Sequence, residues 1–248
     1  MDFGDRHGAA LVVGGSGGIG RAVARMFAER GSDLVVTYRH NRDEAERVVE
    51  EALSNGVHAR AVQLDLCRDV AAVTDLGPVH TLVYAAGPHV PMRHLSLVAP
   101  ADMEAHLACD AAAFFRVVHA ALPALREAQG SIVAVTTAAT SRFPVRDGLS
   151  SAPKAAVEAI VRALAAEEGR YGVRANCVGP GMLTDGMASR LVRSGELSEE
   201  ALEVARRNIP LHRFGVAADI AEAVCFLASD RAGFISGQKL DIDGGYGA

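Results

Sequence analysis

The sequence contains no tryptophan, and only 5% of its residues are aromatic. Runs of basic residues are missing, and the formal net charge is −5, which argues against a surface that binds nucleic acid or an anionic membrane. No apolar run looks long enough to span a bilayer, and the first residues carry no basic segment followed by an apolar one. We therefore predict a cytoplasmic protein that binds neither nucleic acid nor a membrane.

Cysteine is also scarce, and the four cysteines lie far apart at positions Cys67, Cys109, Cys177 and Cys225. None of them forms a CxxC pair or a spacing typical of zinc ligands, so we expect reduced, buried thiols. The histidines likewise show no HxxxH spacing or other clustering, and this predicts that the protein has no metal site.

Hydrophobic residues make up 50% of the chain and follow a regular alternation of strand-like and helix-like segments. We predict strands at 9–13, 33–38, 59–64, 81–84, 131–136 and 173–178, helices at 42–53, 101–125 and 152–168, and a last helix and strand within 217–242. The near-continuous apolar strands are typical of a buried parallel sheet. The sequence thus indicates a single-domain α/β chain over 1–248, a Rossmann-type doubly wound parallel sheet of about seven strands with helices on both faces.

A glycine-rich turn follows the first predicted strand. The turn reads Gly14-Gly15-Ser16-Gly17-Gly18-Ile19-Gly20, and helical spacing resumes directly after it. Glycines allow a sharp turn and a close ligand approach, and a helix N-terminus offers free N–H groups to a diphosphate. We favour a dinucleotide-binding turn over a plain glycine loop.

The alternation breaks at 179–211, where apolar residues are scattered among polar ones after the sixth predicted strand. A substrate lid at about 182–211 would have this composition. A helical hairpin packed on the surface would have it too, and the sequence does not separate the two.

Several motifs together resemble those of the short-chain dehydrogenase/reductase family over essentially the whole chain. Gly14, Gly18 and Gly20 match its TGxxxGxG motif, and Ala86-Gly87 matches the last two residues of NNAG. The segment with Asn176, Pro180, Gly181 and Thr184 and the C-terminal residues Ile235-Ser236-Gly237 and Asp243-Gly244-Gly245 are also similar to that family. One departure is 65–79, which is too short for the usual helix between strands three and four.

The resemblance implies a set of cofactor-binding residues around the glycine turn and the ends of the other strands. They are Gly14, Ser16, Gly18, Ile19, Gly20, Arg39, Asp65, Leu66, Ala86, Gly87, Lys154, Pro180, Gly181 and Thr184. In this set Asp65 would lie near the adenine, with Leu66 beside it.

The end of the second strand bears on which dinucleotide binds. It reads Thr37-Tyr38-Arg39, with no carboxylate to bond a ribose 2′-hydroxyl, and Arg39 could instead bind a 2′-phosphate. Gly17 stands where phosphate-preferring members often carry a basic residue, which weakens this argument. We predict NADP(H) in preference to NAD(H).

The catalytic residues that the resemblance implies depart from the family pattern of Ser, Tyr, Lys and Asn. Lys154 matches the lysine of YxxxK, but Ser150 stands in the tyrosine position, and the longer enoyl-reductase spacing leads to Asp147. Thr137 stands in the serine position and Asp110 in the asparagine position. The candidate catalytic residues are Lys154, Thr137, Ser150 and Asp110.

An aliphatic hydroxyl is a far weaker acid than a phenol, so another group would have to supply the proton. His89, Tyr84, Asp147 and Lys154 are candidates. Each also has a plain structural interpretation, such as a loop residue for His89, packing for Tyr84 or a surface pair with Arg146 for Asp147. Asp110 could pair with Lys154 and immobilise it, or could face solvent.

Two functions from different classes follow. The first is an NAD(P)(H)-dependent oxidoreductase acting on a carbonyl or alcohol, for which the resemblance suggests an oxo- or hydroxyacyl thioester or a polyketide-like ketone. The second is a catalytically silent subunit that stabilises an active partner in a hetero-oligomer, and a cofactor-bound sensor or scaffold is a third possibility. The resemblance implies a homotetramer, or a hetero-oligomer with another chain of the family.

Overall fold

Seven parallel strands form one sheet in the order β3-β2-β1-β4-β5-β6-β7 in the computed structural model, which describes residues 2–68, 70–88, 90–185 and 199–248. The strands are β1 (Ala9–Val13), β2 (Asp33–Tyr38), β3 (Ala59–Gln63), β4 (Val79–Tyr84), β5 (Ser131–Val135), β6 (Arg174–Pro180) and β7 (Lys239–Ile242). Strand order reverses beside β1, which pairs with both β2 and β4. A crevice therefore opens at the carboxyl ends of these strands, the usual ligand site of such sheets.

Helices lie between the strands and cover both faces of the sheet. They are α1 (Gly18–Glu29), α2 (Arg42–Ser54), α3 (Pro100–Leu107), α4 (Ala113–Glu127), α5 (Gly148–Glu168), α6 (Glu199–Arg207) and α7 (Ala217–Ala228). A single π-helical turn, Ala108–Ala112, joins α3 to α4. Short 3₁₀ turns at Ala71–Val73, Leu95–Leu97 and Ala138–Thr140 lie in the connections that border the crevice.

Two hydrophobic cores lie on opposite faces of the sheet because successive strand side chains point to opposite sides. Val12, Val36 and Val83 belong to the core that contains apolar residues of α1 and α7. Leu11 and Leu82 belong to the other core, with apolar residues of α4 and α5. This arrangement confirms the predicted doubly wound parallel sheet with helices on both faces.

The structure differs from the expected elements mainly at their starts. The fourth strand begins at Val79, two residues before the predicted start, and α5 begins at Gly148, although the sequence favours a start near residue 152. Pro153 caused the second error, because proline is usual in the first turn of a helix and here lies in the second. Among the described residues of the 65–79 connection, 65–68 and 70–79, the helical element is the 3₁₀ turn Ala71–Val73 and no full helix forms, as the length of the segment predicted.

The expectation that no apolar run is long enough to span a bilayer is wrong when only length and composition are considered. The continuous helical run Pro100–Glu127 has a mean hydropathy of 1.3 over its most apolar window, enough to qualify as a candidate span. Its apolar residues Phe114, Val117 and Leu125 are instead fully buried in the core beside β4 and β5. The hydropathy of this segment is explained by its place as a core helix of the sheet.

The proposed lid at about 182–211 falls largely on residues 186–198, which lie outside the described part of the chain. On its near side, Leu183 bridges to Gly215, and the Thr184 N–H donates to the Gly215 carbonyl oxygen at 2.9 Å. The choice between a lid and a packed hairpin stays a prediction.

Candidate active site

The glycine turn lies at the carboxyl end of β1 and is shaped by contacts that exclude side chains. Gly14 has a φ of +82°, and its N–H donates to Thr37 Oγ1 at 3.1 Å. A Cβ at Gly20 would lie 2.2 Å from the Gly14 carbonyl oxygen, and one at Gly15 would lie 2.8 Å from Val36 Cβ. The turn can therefore pack against α1 and β2 only while these positions remain glycine.

The helix α1 begins directly after this turn with Gly17 as its N-cap residue. Gly17 provides no side chain to cap the helix, and the first N–H groups of a helix have no acceptor within it. Gly18 and Ile19 thus present N–H groups at the positive end of the helix dipole, with the Ser16 hydroxyl in the preceding turn. This arrangement suits a diphosphate.

Arg39 and Asp65, predicted for opposite parts of an adenosine site, lie together at the ends of β2 and β3. Arg39 Nε is 3.5 Å from Asp65 Oδ1, and Arg68 Nε is 3.6 Å from Asp65 Oδ2. Beside them the Leu66 carbonyl oxygen accepts a hydrogen bond from Arg116 at 2.7 Å. Because two arginines share the Asp65 carboxylate, one of them can move away while the other still neutralises its charge.

Lys154 is held at the carboxyl end of β4 by two acceptors. Its ammonium donates to Asp110 Oδ1 at 3.0 Å and to the Ala86 carbonyl oxygen at 3.1 Å. The two side chains are 13% and 5% exposed, so this is a desolvated ion pair. Of the two alternatives for Asp110, the structure supports pairing with the lysine. Gly87 keeps the space beside the ammonium open, since a Cβ there would lie 3.4 Å from Lys154 Nζ.

Tyr84 does not reach the crevice, and its interpretation as a packing residue is confirmed. It is fully buried, stacks edge-on against Phe114 and donates its hydroxyl proton to the Asp110 carbonyl oxygen at 3.2 Å. Burial raises the pKa of its phenol well above the ordinary value of 10. The Lys154 ammonium lies 5.6 Å from the centre of its ring.

Thr137 and Ser150 lie at the starts of two helical segments beside the crevice, a 3₁₀ turn and α5. Thr137 follows β5 and caps the 3₁₀ turn Ala138–Thr140, where its Oγ1 accepts the Ala139 N–H at 3.1 Å. That bond leaves the hydroxyl proton of Thr137 available to a ligand. Ser150 is partly buried in the first turn of α5, and its N–H donates to the Asp147 carbonyl oxygen at 3.0 Å.

Asp147 does not form the expected surface pair with Arg146. The Arg146 guanidinium donates instead to the Met92 carbonyl oxygen at 3.1 Å. Asp147 is the N-cap residue of α5, but its side chain does not cap the helix, and burial raises the pKa of its carboxyl group from 3.8 to about 6. His89, the other proposed acid, lies outside the described residues.

The residues predicted after β6 lie at the far side of the crevice. Pro180 ends the strand, and Gly181 donates its N–H to the Ile242 carbonyl oxygen at 2.9 Å. A Cβ at Gly181 would lie 2.7 Å from Asp243 Cα, which explains the glycine by packing against the C-terminal segment. The Thr184 side chain is exposed next to Gly215.

The expectation of four reduced cysteines is wrong for two of them. Cys67 and Cys109 form a disulfide bond, with their Cα atoms 4.7 Å apart. The bond joins the loop after β3 to the π-helical turn, at the residue immediately before Asp110. Only the folded sheet brings these two segments together. Their spacing in the sequence carries no signal for this pairing. Cys177 and Cys225 are free and buried, and burial raises the pKa of each thiol to about 12.

Reduction of the Cys67–Cys109 bond is expected to lower the free energy of unfolding by about 2–4 kcal/mol, because the bond closes a long loop in the unfolded chain. Chemical unfolding with and without dithiothreitol measures the effect. The matched Cys67→Ser variant should show the lower stability under both conditions. Equal stability of the parent chain with and without the reductant would contradict the prediction.

Comparison with known proteins finds similar sequences over nearly the whole chain. The family model described as "Enoyl-(Acyl carrier protein) reductase" matches residues 13–247. The chain is 32% identical over 246 residues to the 3-oxoacyl-[acyl-carrier-protein] reductase FabG of Staphylococcus epidermidis, with 96% of this chain and 98% of the relative covered. It is also 32% identical over 249 residues to versicolorin reductase 1 of Aspergillus parasiticus, with 95% of each covered.

Solved structures agree with these relatives in fold. A short-chain type dehydrogenase/reductase from Mycobacterium ulcerans superposes with a TM-score of 0.91 at 27% identity, covering 100% of this chain and 91% of that one. A blue fluorescent protein from a metagenomic library, in complex with NADPH, superposes with a TM-score of 0.87 at 30% identity, covering 99% and 100%. The similarity therefore extends over the whole sheet and the crevice.

Proposed function

The chain belongs to the short-chain dehydrogenase/reductase family, and on that premise we propose that it is an NAD(P)(H)-dependent oxidoreductase acting on a carbonyl or alcohol carbon. The observation that carries the proposal is the position of Lys154. Its ammonium has three N–H donors, and two of them are used by Asp110 and Ala86 among the described residues. The third can bind a ligand hydroxyl beside the glycine turn.

The residues around the crevice fit a dinucleotide. The clash that any side chain at Gly20 would cause with Gly14 keeps the turn close to the start of α1, where Gly18 and Ile19 would bind the diphosphate. Asp65 and Leu66 would border the adenine, and Lys154 would hold the nicotinamide ribose. The residues that would lie near the nicotinamide ring are Ala86, Gly87, Pro180, Gly181 and Thr184. When bound, a reduced nicotinamide supplies the hydride.

NADP(H) is favoured over NAD(H) in this proposal because of Arg39. A 2′-phosphate would attract its guanidinium away from Asp65, which keeps Arg68 as a partner. A similar solved structure is a complex with NADPH. No carboxylate stands at the end of β2 to repel such a phosphate, and the charge of the Asp65 carboxylate beside Arg39 is also neutralised by Arg68.

Replacing Arg39 with alanine is expected to weaken NADPH binding about tenfold or more, since a hydrogen bond to a charged group contributes about 1.5–3 kcal/mol. NADH binding should change little. Calorimetric titration with each nucleotide measures both. Arg42→Ala is the matched control, because Arg42 is 71% exposed and pairs with Glu46 on its own helix. Equal weakening for both nucleotides in Arg39→Ala would contradict the assignment.

The substrate proposed is an oxo- or hydroxyacyl thioester or a polyketide-like ketone. Two of the relatives are named for reductions of this kind, one as a 3-oxoacyl-[acyl-carrier-protein] reductase and the other as a versicolorin reductase. Leu95, Phe143 and Val145 are 56%, 61% and 72% exposed on the two loops beside the start of α5, and they would contact an apolar body. A polar substrate would gain no binding free energy from these exposed apolar side chains.

A spectrophotometric screen tests the proposal. Purified protein is mixed with NADPH or NADH and with either a 3-oxoacyl thioester or a polycyclic ketone, and consumption of the reduced nicotinamide is followed. Turnover that is lost in Lys154→Ala supports the proposal. No turnover with any combination would contradict it.

The second candidate is a catalytically silent subunit that stabilises an active partner. The desolvated ion pair between Lys154 and Asp110 favours it, because the lysine is already engaged, and so does the missing tyrosine. We propose a homotetramer for the enzyme and a hetero-oligomer with another chain of the family for the silent subunit. Light scattering of the purified chain, alone and coexpressed with an active relative, separates the two. A cytoplasmic location is part of both proposals.

A further inference from the structure

We propose that the carboxyl group of Asp147 is the proton donor of this site, supplying the proton that a phenol supplies elsewhere in the family. This inference rests on the proposed oxidoreductase function and assigns a role that Lys154, Thr137, Ser150 and Asp110 leave unfilled.

The position of Asp147 relative to Lys154 is the first argument. Asp147, Ser150 and Lys154 are spaced by three and four residues at the start of α5, so they lie along one face of the helix. Side chains on a helix lean toward its N-terminus, which tilts Lys154 toward Asp147. Seven residues of helix rise about 10 Å, which leaves room for a carbonyl group between the two side chains.

The loop that packs against both neighbours of Asp147 is the second argument. Leu95 lies so close to the start of α5 that a Cβ at Gly148 would be 2.7 Å from Leu95 Cγ. The Arg93 N–H donates to the Arg146 carbonyl oxygen at 3.0 Å, and the Arg146 side chain donates back to the Met92 carbonyl oxygen. These contacts fix the backbone on each side of Asp147, whose side chain is partly buried.

The lack of a counterion is the third argument. In the described ranges 2–68, 70–88, 90–185 and 199–248, the Asp147 carboxyl group has neither a hydrogen bond nor an ion pair. Titratable and charged side chains lie on the elements around it, namely Arg93 and His94 on the neighbouring loop, Arg146 beside it and Lys154 along α5. Burial is nonetheless the sole cause of its raised pKa, about 6. An acid with a pKa near the working pH is suited to donate and regain a proton.

The other candidate groups are poorer donors. The Ser150 hydroxyl is too weak an acid. Tyr84 is buried, and its proton is committed to the Asp110 carbonyl oxygen. Lys154 is a cation paired with a buried carboxylate, and loss of its proton would leave that carboxylate without a partner.

The reduction balances with Asp147 as the acid. When bound, a reduced nicotinamide would supply a hydride with its electron pair to the carbonyl carbon, and the electrons of the carbon–oxygen π bond would move to the oxygen. The Asp147 carboxyl group gives its proton to that oxygen, which leaves an alcohol, an oxidised nicotinamide and a carboxylate. The carboxylate regains a proton from solvent before the next turnover.

The test compares Asp147→Asn with Asp147→Glu, since asparagine is also a good N-cap residue and should preserve the helix. Asp147→Asn is expected to lower kcat about 10²–10⁴-fold. It should also remove the loss of kcat above about pH 6 that the inference predicts for the parent. Asp147→Glu should recover part of the activity and shift the pH profile. Wild-type kcat and an unchanged profile in Asp147→Asn would overturn the inference.

Stability provides a readout that does not depend on turnover. A folded-state pKa raised from 3.8 to about 6 favours the folded chain below pH 3.8, and this contribution is lost as the pH rises through 6. Asp147→Asn should therefore raise the Tm above the parent value at pH 8 and leave it unchanged near pH 3.5. Equal Tm differences at both pH values would contradict the buried, unpartnered carboxyl.

The outcomes separate this inference from the proposed function. A parent chain without turnover on any substrate overturns both. A parent chain that turns over while Asp147→Asn does so with the same pH profile overturns only the role of Asp147, and His89 then becomes the next residue to replace.

Discussion

Lys154→Ala is expected to lower kcat/KM by about 10²-fold or more, the scale of loss that follows when a bound reactant is misplaced by about 1 Å. The lysine ammonium is the cation at the carboxyl end of β4 that faces Gly87, and its third N–H is the donor available to a ligand. The same variant should also be less stable. Asp110 is 5% exposed and would be left as a buried carboxylate without a cation, at a cost of about 3–5 kcal/mol.

The two effects of Lys154→Ala can be separated by a second substitution. In the double variant Lys154→Ala/Asp110→Asn the unpaired charge is removed, so chemical unfolding should return most of the lost stability while turnover stays low. Recovery of turnover together with stability would mean that Lys154 acts only through the fold. Unchanged turnover in the single variant would remove Lys154 from the site altogether.

Gly20→Ala is expected to abolish cofactor binding at accessible concentrations. The new Cβ would lie 2.2 Å from the Gly14 carbonyl oxygen, so α1 and the turn must move apart. Overpacking of this kind typically destabilises a fold by about 1–3 kcal/mol. It also displaces the N–H groups of Gly18 and Ile19, and loss of two charge-assisted bonds weakens binding by about 10²-fold or more.

Gly17→Ala is the matched control for this prediction. Gly17 has an ordinary φ of −84°, and a Cβ there would lie 3.3 Å from the Gly14 carbonyl oxygen, a distance that a slight shift can relieve. Calorimetric titration with NADPH should give an affinity within a few-fold of the parent for Gly17→Ala. Loss of binding in both variants, or in neither, would contradict the geometry described for the turn.

The sheet and the glycine turn were predictable from the sequence because their signals are local. Five apolar residues followed by Gly14 specify a buried strand and a tight turn, and the sheet indeed reverses its strand order beside that strand. The pairing of Asp110 with Lys154 was one of two predicted alternatives, since the residue types show a charge at each position but not the distance between them.

The features that the sequence did not predict depend on contacts between distant segments. The Cys67–Cys109 bond needs the loop after β3 to meet the π-helical turn, and no spacing rule describes that contact. The raised pKa of Asp147 comes from burial, which depends on how other segments pack around the start of α5. Leu95 lies close to Gly148 there, although it looks like an ordinary loop residue in the sequence. The ion pair assumed between Asp147 and Arg146 was wrong for the same reason, because Met92 accepts the arginine.

Transfer of deuterium tests most directly whether this chain is an enzyme by itself. The purified protein is incubated with NADPH deuterated at the reactive carbon of the nicotinamide and with a 3-oxoacyl thioester or a polycyclic ketone, and the alcohol product is analysed by mass spectrometry. We predict that the label appears on the alcohol carbon with the parent chain and is absent from the products of Lys154→Ala. Binding of NADPH without any labelled alcohol would contradict the account and favour the silent subunit.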